Sequence, residues 1–175
     1  MSNLRLLNEI TISTSQLITN ITDVFTNDFD IYKITLSDFS TVGTTDNKIN
    51  LRFINSSGSV DTTGDYQYAV LQLKSNSSFT ENKSTSLSRI DRITTSDQSP
   101  ETQGCVIYVF NPFSNLNFTL INWQSFHSRG QGEGYKGIGC HKELVSNTGV
   151  QFFDPEGDRP YNSGKIRVYG LRVDT

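Results

Sequence analysis

"FTLINWQSFHSRGQGEGYKGIGC", residues 118–140, holds Gly132, Gly134 and Gly137 in the G-x-G-x-x-G spacing of a dinucleotide-binding loop. That loop works only between a strand and a helix, because the pyrophosphate rests on the amides of the helix N-terminus. "FTLINWQSF" supplies a strand, with Ile121 and Trp123 on one face and Leu120 and Asn122 on the other. The next residues are "YKGIGCHKEL", where Gly137 and Gly139 oppose a helix and alternation predicts a second strand. No acidic residue stands at the distance a ribose contact would need. The stretch therefore predicts strand, hairpin, strand, with the glycines serving either positive φ at a hairpin end or close approach of neighbouring chains. Residues 129–140 are expected to form a pliant connection running into an outer strand.

The same two-residue period recurs outward from this hairpin. In "DIYKITL" Tyr32, Ile34 and Leu36 share one face, and in "KINLRFI" Ile49, Leu51 and Phe53 do. "DYQYAVLQLK", "SLSRIDRI", "GCVIYVF" and "GVQFF" repeat it, and "GKIRVYGLRV" closes the chain with Ile166 and Val168 set against Lys165, Arg167 and Tyr169. Turn clusters punctuate these runs at Asn55-Ser56-Ser57-Gly58, Thr62-Thr63-Gly64-Asp65, Asn111-Pro112 and Asp154-Pro155-Glu156-Gly157. The spacing predicts roughly eight to ten strands. One helical turn is expected, around Asp23-Val24-Phe25-Thr26. The 175 residues, with no linker-like boundary, predict a single all-β domain: an antiparallel β-sandwich of the jelly-roll type.

Composition narrows the function. Fifteen Lys and Arg against 18 Asp and Glu give a net charge of −3, and no basic run exists to track a phosphate backbone, so nucleic acid is not an expected partner. No apolar run approaches the roughly 18 residues of a membrane span, and "MSNLRLLNEI" lacks the pattern of a secretory signal. Synthesis in a cytoplasm is expected, and the sequons at Asn20, Asn55, Asn76, Asn82 and Asn117 then read as a by-product of a Ser/Thr/Asn-rich chain.

Four constellations carry potential chemistry. Cys105, Cys140, His127 and His141 lack the paired spacing of a zinc site, and neighbours in a strand, such as Cys140 and His141, face opposite ways. Cys140 with His127 would be a nucleophile and base without an orienting group, so buried free thiols are expected, a Cys105–Cys140 disulfide requiring oxidising surroundings. Asp154, Glu156 and Asp158 alternate as in a calcium loop but lack the rest of the shell, and a surface turn is the simpler expectation. Trp123, Tyr135, Tyr161 and Tyr169 could stack on sugars, while Trp123 on the face of Ile121 reads as core. No catalytic, metal-binding or cofactor-binding residue is assigned, and no cofactor is expected.

"DVFTNDFDIYKITL", "LSRIDRI", "VIYVFNPFSNLNFTLINWQS", "GYKGIG" and "GKIRVYGLRV" together resemble small virion structural proteins of tailed phages, especially marine and cyanobacterial ones, described as tail-fibre-like or capsid-decorating. The resemblance spans nearly the whole chain and carries no catalytic motif. It implies a non-enzymatic virion protein on the head or tail, made in the host cytoplasm, partnered by other virion proteins and self-associating as a homo-oligomer such as a trimer. The start near Met1 is expected to mark a free-standing knob or decoration subunit, with "NLRLLNEITISTSQLI" contacting the particle. The alternative is a receptor- or carbohydrate-binding module at a fibre tip, with a host surface glycan as partner; a polysaccharide hydrolase is the third reading.

Overall fold

The computed structural model describes residues 3–41, 47–96, 103–128 and 131–172. These residues form twelve strands: β1 (Leu4–Ile12), β2 (Ile18–Ile21), β3 (Ile31–Thr41), β4 (Asn47–Asn55), β5 (Tyr66–Lys74), β6 (Thr80–Leu87), β7 (Ile90–Ser96), β8 (Gln103–Phe110), β9 (Thr119–Ser128), β10 (Gly132–His141), β11 (Asn147–Phe153) and β12 (Tyr161–Leu171). An eight-stranded sheet, ordered β1-β12-β3-β8-β9-β10-β5-β6, faces a four-stranded sheet, ordered β2-β11-β4-β7. All pairings are antiparallel, β1 with β12, β3 with β8, β2 with β11 and β4 with β7 among them. Those nested pairs describe one long ribbon rolled up so that successive strands exchange sheets, which is a jelly roll. Two hairpins are inserted into it. β5–β6 interrupts the passage from β4 to β7, and β9–β10 interrupts that from β8 to β11; both extend the larger sheet beyond β8.

Burial alternates as the sequence period predicts. Tyr32, Ile34 and Leu36 of β3, Ile49, Leu51 and Phe53 of β4, and Ile166 and Val168 of β12 all point into the core between the sheets. Each such side chain contributes about 1.5–3 kcal/mol when fully buried. β9 is the plainest case, with every second residue from Thr119 to His127 buried and every second from Leu120 to Ser128 exposed.

The twelve strands exceed the eight to ten expected, because the polar β6 and the short or edge strands β1 and β2 carry no clear alternation, and three further expectations need correction. The helical turn at Asp23–Thr26 is an irregular loop: Asp23 has φ of 56°, and the amides of Val24 and Phe25 both donate to the Thr148 carbonyl of the neighbouring strand, at 2.9 and 3.1 Å. Asp23 in the left-handed region cannot open a right-handed turn, and the two amides fasten the segment to β11 instead. Phe25 then packs edge-on against Tyr32, ring centroids 4.7 Å apart. The N-terminal segment, expected to contact a particle, needs no partner to order it: it supplies β1, an edge strand of the large sheet paired with β12 along its length. Strand β10 is also not an outer strand, since it lies between β9 and β5.

The glycines of β10 explain its place. Of the two roles open to them, close approach is the one used. A Cβ on Gly137 would fall inside the indole of Trp123, its register partner on β9, and one on Gly134 would meet the Ser125 carbonyl oxygen. Trp123 is 2% exposed and its Nε1 donates to the Arg92 carbonyl at 3.1 Å, tying the sheet extension to β7 below. Overpacking of this kind costs about 1–3 kcal/mol. We predict that Gly137→Ala lowers the urea unfolding midpoint accordingly, while Gly104→Ala on β8, with nothing within 4 Å of the added carbon, is nearly neutral. Equal midpoints for the two variants would contradict this packing.

Candidate binding groove on the eight-stranded sheet

The two sheets differ on their outward faces. On the small sheet several outward polar side chains are held down: Gln151 Nε2 donates to Asn20 Oδ1 at 2.9 Å and Arg52 Nε to the Ser88 carbonyl at 2.9 Å, with the Arg52 guanidinium 4.2 Å above the Phe153 ring, while Asn50 Nδ2 is buried without a partner among the described residues. On the large sheet an open groove of about 990 Å³ crosses β8, β9, β10, β5 and β6. Antiparallel register arranges its side chains in two transverse rows. One runs Tyr108, Asn122, Ile138, Ala69, Lys83; the next runs Val106, Gln124, Lys136, Leu71, Glu81. Neighbours within a row stand about 4.5–5.5 Å apart at Cβ.

These residues are the outward half of the alternation whose inward half is the core. Asn122, Gln124, Lys136, Ile138, Ala69, Glu81 and Lys83 are exposed, while Val106, Tyr108 and Leu71 are half-buried. The short Ala69 leaves a hollow between Ile138 and Lys83. The side chains of Asn122, Gln124, Lys136, Glu81 and Lys83 engage no hydrogen-bond partner among the described residues, whereas Gln151, Asn20 and Arg52 on the small sheet do. Chemically the groove offers a phenol ring, two carboxamides with both donor and acceptor, and a strip of apolar surface. That set suits a ligand with flat apolar faces and hydroxyl edges. Sugar rings have both. Glu81 is the single carboxylate among the lining side chains, whereas glycoside cleavage by acid and base or acid and nucleophile uses two flanking the bond.

The aromatic candidates named from sequence mostly fall elsewhere. Trp123, Tyr135 and Tyr161 are 2%, 2% and 0% exposed and belong to the core. Tyr169 does face outward, on β12, beside Lys33 of β3, and Lys33 is in turn the register partner of Tyr108. Tyr108, which lines the groove, is not singled out by sequence reasoning; its signal is "GCVIYVF", a strand apolar on both faces.

The thiols do not meet each other or a base. Cys105 points into the core and Cys140 outward, with β9 between them, and both are free. Burial pushes both thiols above their ordinary value, against thiolate formation. His127 sits opposite Glu133 while Cys140 sits opposite Leu120, seven residues along β9, or roughly 23 Å. His127 lies on the inward face with its Nε2 2.6 Å from Thr95 Oγ1. The carboxylate of Asp154 is 5% exposed and accepts the backbone amides of Glu156, Asp158 and Arg159 at 3.2, 3.0 and 3.0 Å, while Arg159 pairs with Glu156 at 2.6 Å. The loop is thus built as a turn around Asp154.

A second cluster escapes sequence reasoning. His141, fully buried, stacks on Tyr66 with centroids 4.6 Å apart, and its Nε2 lies 2.5 Å from Asp61 Oδ2. The Asn147 amide donates toward His141 Nδ1 at 3.3 Å, so the ring proton sits on Nε2 and points at Asp61. Thr63 donates twice to the other Asp61 oxygen, at 2.7 and 2.8 Å. Burial pushes the Asp61 carboxyl up, but the hydrogen bonds from Thr63 and His141 outweigh it and hold Asp61 below its ordinary value. Glu143, with a ligand atom within 4.8 Å of both, is pushed up by burial and by the carboxylates of Asp61 and Asp65.

Glu143 has a folded pKa above the unfolded value of about 4.3, so its contribution is favourable only below that pH and is lost as pH rises through the folded value. Glu143→Gln should therefore raise Tm at neutral pH, with the gain vanishing below about pH 4; a gain that persists in acid contradicts the assignment. Asp154→Ala, which leaves three amides without their acceptor, should lower stability by about 2–3 kcal/mol in calorimetry. Chelator should leave the Tm of the unaltered protein unchanged, and a chelator-dependent Tm would restore the calcium reading of this loop.

No protein-family model matches the chain, and no curated protein matches it. Among solved structures, it is similar to the CBM2 module of the evolved Dit of Lactobacillus casei BL23 phage J-1, at 7% identity over 90% of this chain and 70% of that one, with a TM-score of 0.28. The infectious bursal disease virus VP2 subviral particle is similar at 10% identity, 98% of this chain, 42% of that one and a TM-score of 0.21. For the Gx strain of the same virus the values are 12%, 95%, 39% and 0.20. This chain thus spans less than half of either bursal disease virus chain. Similarity at these scores carries no functional argument, and the jelly-roll assignment rests on the strand order.

Proposed function

We propose that this chain is a non-enzymatic jelly-roll module of a phage virion, and that the groove across β8, β9, β10, β5 and β6 is its ligand face, taking a glycan of the host surface. The virion assignment rests on the sequence resemblance. The glycan assignment rests on one observation: a half-buried tyrosine ring beside two exposed carboxamides without partners among the described residues, lining an open groove. Particle decoration is the first reading from sequence; the groove moves recognition ahead of it. Other virion proteins and further copies of the chain, as in a trimer, are the protein partners in this reading, and the head or tail surface is the place of action. Glu81, alone among carboxylates in the groove, favours holding a chain over cutting it.

Stacking on an aromatic face contributes about 0.5–1.5 kcal/mol beyond burial, so losing the ring should weaken binding about tenfold at most. We predict that the protein binds glycans on an array of host and capsular polysaccharides and that Tyr108→Ala cuts the affinity severalfold with only a small fall in Tm and an unchanged fold by circular dichroism, since the half-buried ring lies on the outward face. Blank arrays would return the protein to decoration alone. Turnover of any arrayed polysaccharide would support the hydrolase instead.

A further inference from the structure

The groove sits in a local excess of positive charge on a chain that is acidic as a whole, with a net charge of −3. Lys136 and Lys83 line it against Glu81 alone, and Lys33, register partner of Tyr108, extends the upper row across β3. The three ammonium groups have no ion-pair partner among the described residues. Elsewhere in this sheet Arg167 meets Glu9 at 2.6 Å and Lys74 stands 3.9 Å from Glu133, while Arg5 and Lys165 are unpaired among the described residues like the groove lysines but isolated from them on β1 and β12. With strands about 4.8 Å apart, Lys33 and Lys136 lie roughly 14 Å apart across the sheet, and Lys136 and Lys83 roughly 10 Å. The lysines are therefore spread along the groove's length, alternating with Tyr108, Asn122 and Ile138, and are not gathered at one end.

A neutral polysaccharide gives such lysines little to do. Each carries a strongly hydrated point charge, and desolvating it against hydroxyl groups alone is not compensated as it is against an anion. A chain with anionic groups at intervals meets a charge at successive places while its ring faces still rest on Tyr108 and Ile138. We infer that the groove selects acidic glycans, chains bearing carboxylate or sulfate groups, which Lys33, Lys83 and Lys136 engage around the Tyr108 platform. This inference rests on the glycan-binding reading above and adds the class of sugar.

The test is titration calorimetry of the full chain with polygalacturonate as carboxylated probe, carrageenan as sulfated probe, and dextran and galactomannan as neutral ones. An acidic probe should bind at least tenfold more tightly than either neutral one, with an affinity that falls as salt rises. The double substitution Lys33→Gln, Lys136→Gln should remove about tenfold or more of that affinity, in keeping with hydrogen bonds to charged groups. The double substitution Lys48→Gln, Lys142→Gln, the same charge change on two lysines outside the groove, should have no effect, and Lys142→Gln alone should have none either. Whether carboxylate or sulfate binds better identifies the anion. Dextran or galactomannan binding as tightly as the acidic probes would overturn the inference and leave the glycan groove standing. Equal losses from the Lys48, Lys142 pair and the Lys33, Lys136 pair would reduce the effect to overall charge and overturn it too. Absence of binding by all four probes would count against both the inference and the reading beneath it.

Discussion

The indole of Trp123 against the bare backbone of Gly137 is the contact on which the extension of the large sheet depends. An eight-strand jelly roll is complete without β5, β6, β9 and β10. Adding them extends one sheet well past its partner, and the inward face of that extension needs cover. β7, the edge strand of the small sheet, packs beneath β9, β10 and β5. Trp123 fills the space between, hydrogen-bonded to the Arg92 carbonyl of β7, and only a residue without a side chain can lie beside it on β10. The five strands that expose the groove are held in register by the packing under them.

The two faces of β9 show how one strand serves both ends. Ile121, Trp123 and Ser125 point inward, and Asn122 and Gln124 point into the groove. A change on the inner face should reach ligand binding through the sheet, whereas a change on the outer face should leave folding alone. The buried His141–Asp61–Thr63 group does a related job where β10 ends: it ties that end of the extension to the loop before β5, with Tyr66 stacked on the imidazole. Its polar atoms are turned inward toward one another, so its contribution is to order, and it stands apart from the groove.

Much of the fold is legible because side-chain alternation is a direct record of a strand lying between core and solvent. β3, β4, β8, β9 and β12 announce themselves this way, and the failed context of G-x-G-x-x-G correctly gives a strand, β10, where a dinucleotide loop would need a helix. The polar strand β6, "TENKSTSL", does not, since it is a sheet-edge strand with little to bury and reads like the loops beside it. β1 and β2 escape the pattern for a similar reason: β1 lies at the other edge of the large sheet, and β2 is only four residues long. The turn expected at Asp23–Thr26 gives way to a left-handed Asp23 and to amide bonds with a strand distant in the sequence, which no local rule foresees. The groove is half visible. "GCVIYVF" and "FTLINWQSF" carry Val106, Tyr108, Leu120 and Phe126 on the outward face, more apolar surface than a solvent-facing sheet needs, but only the order of strands in the sheet gathers them with Lys136 and Lys83.

The central claim is that the extended sheet, and not the small sheet or the strand edges, is where this protein meets its ligand. Backbone amide NMR shifts recorded while a host-surface polysaccharide is titrated in would test it most directly. The account predicts that the largest shifts fall on Val106–Tyr108, Asn122–Gln124, Lys136–Ile138 and Ala69–Leu71, with β2, β4 and β11 unmoved. Shifts centred on the outward face of the small sheet, or spread evenly over the surface, would contradict it.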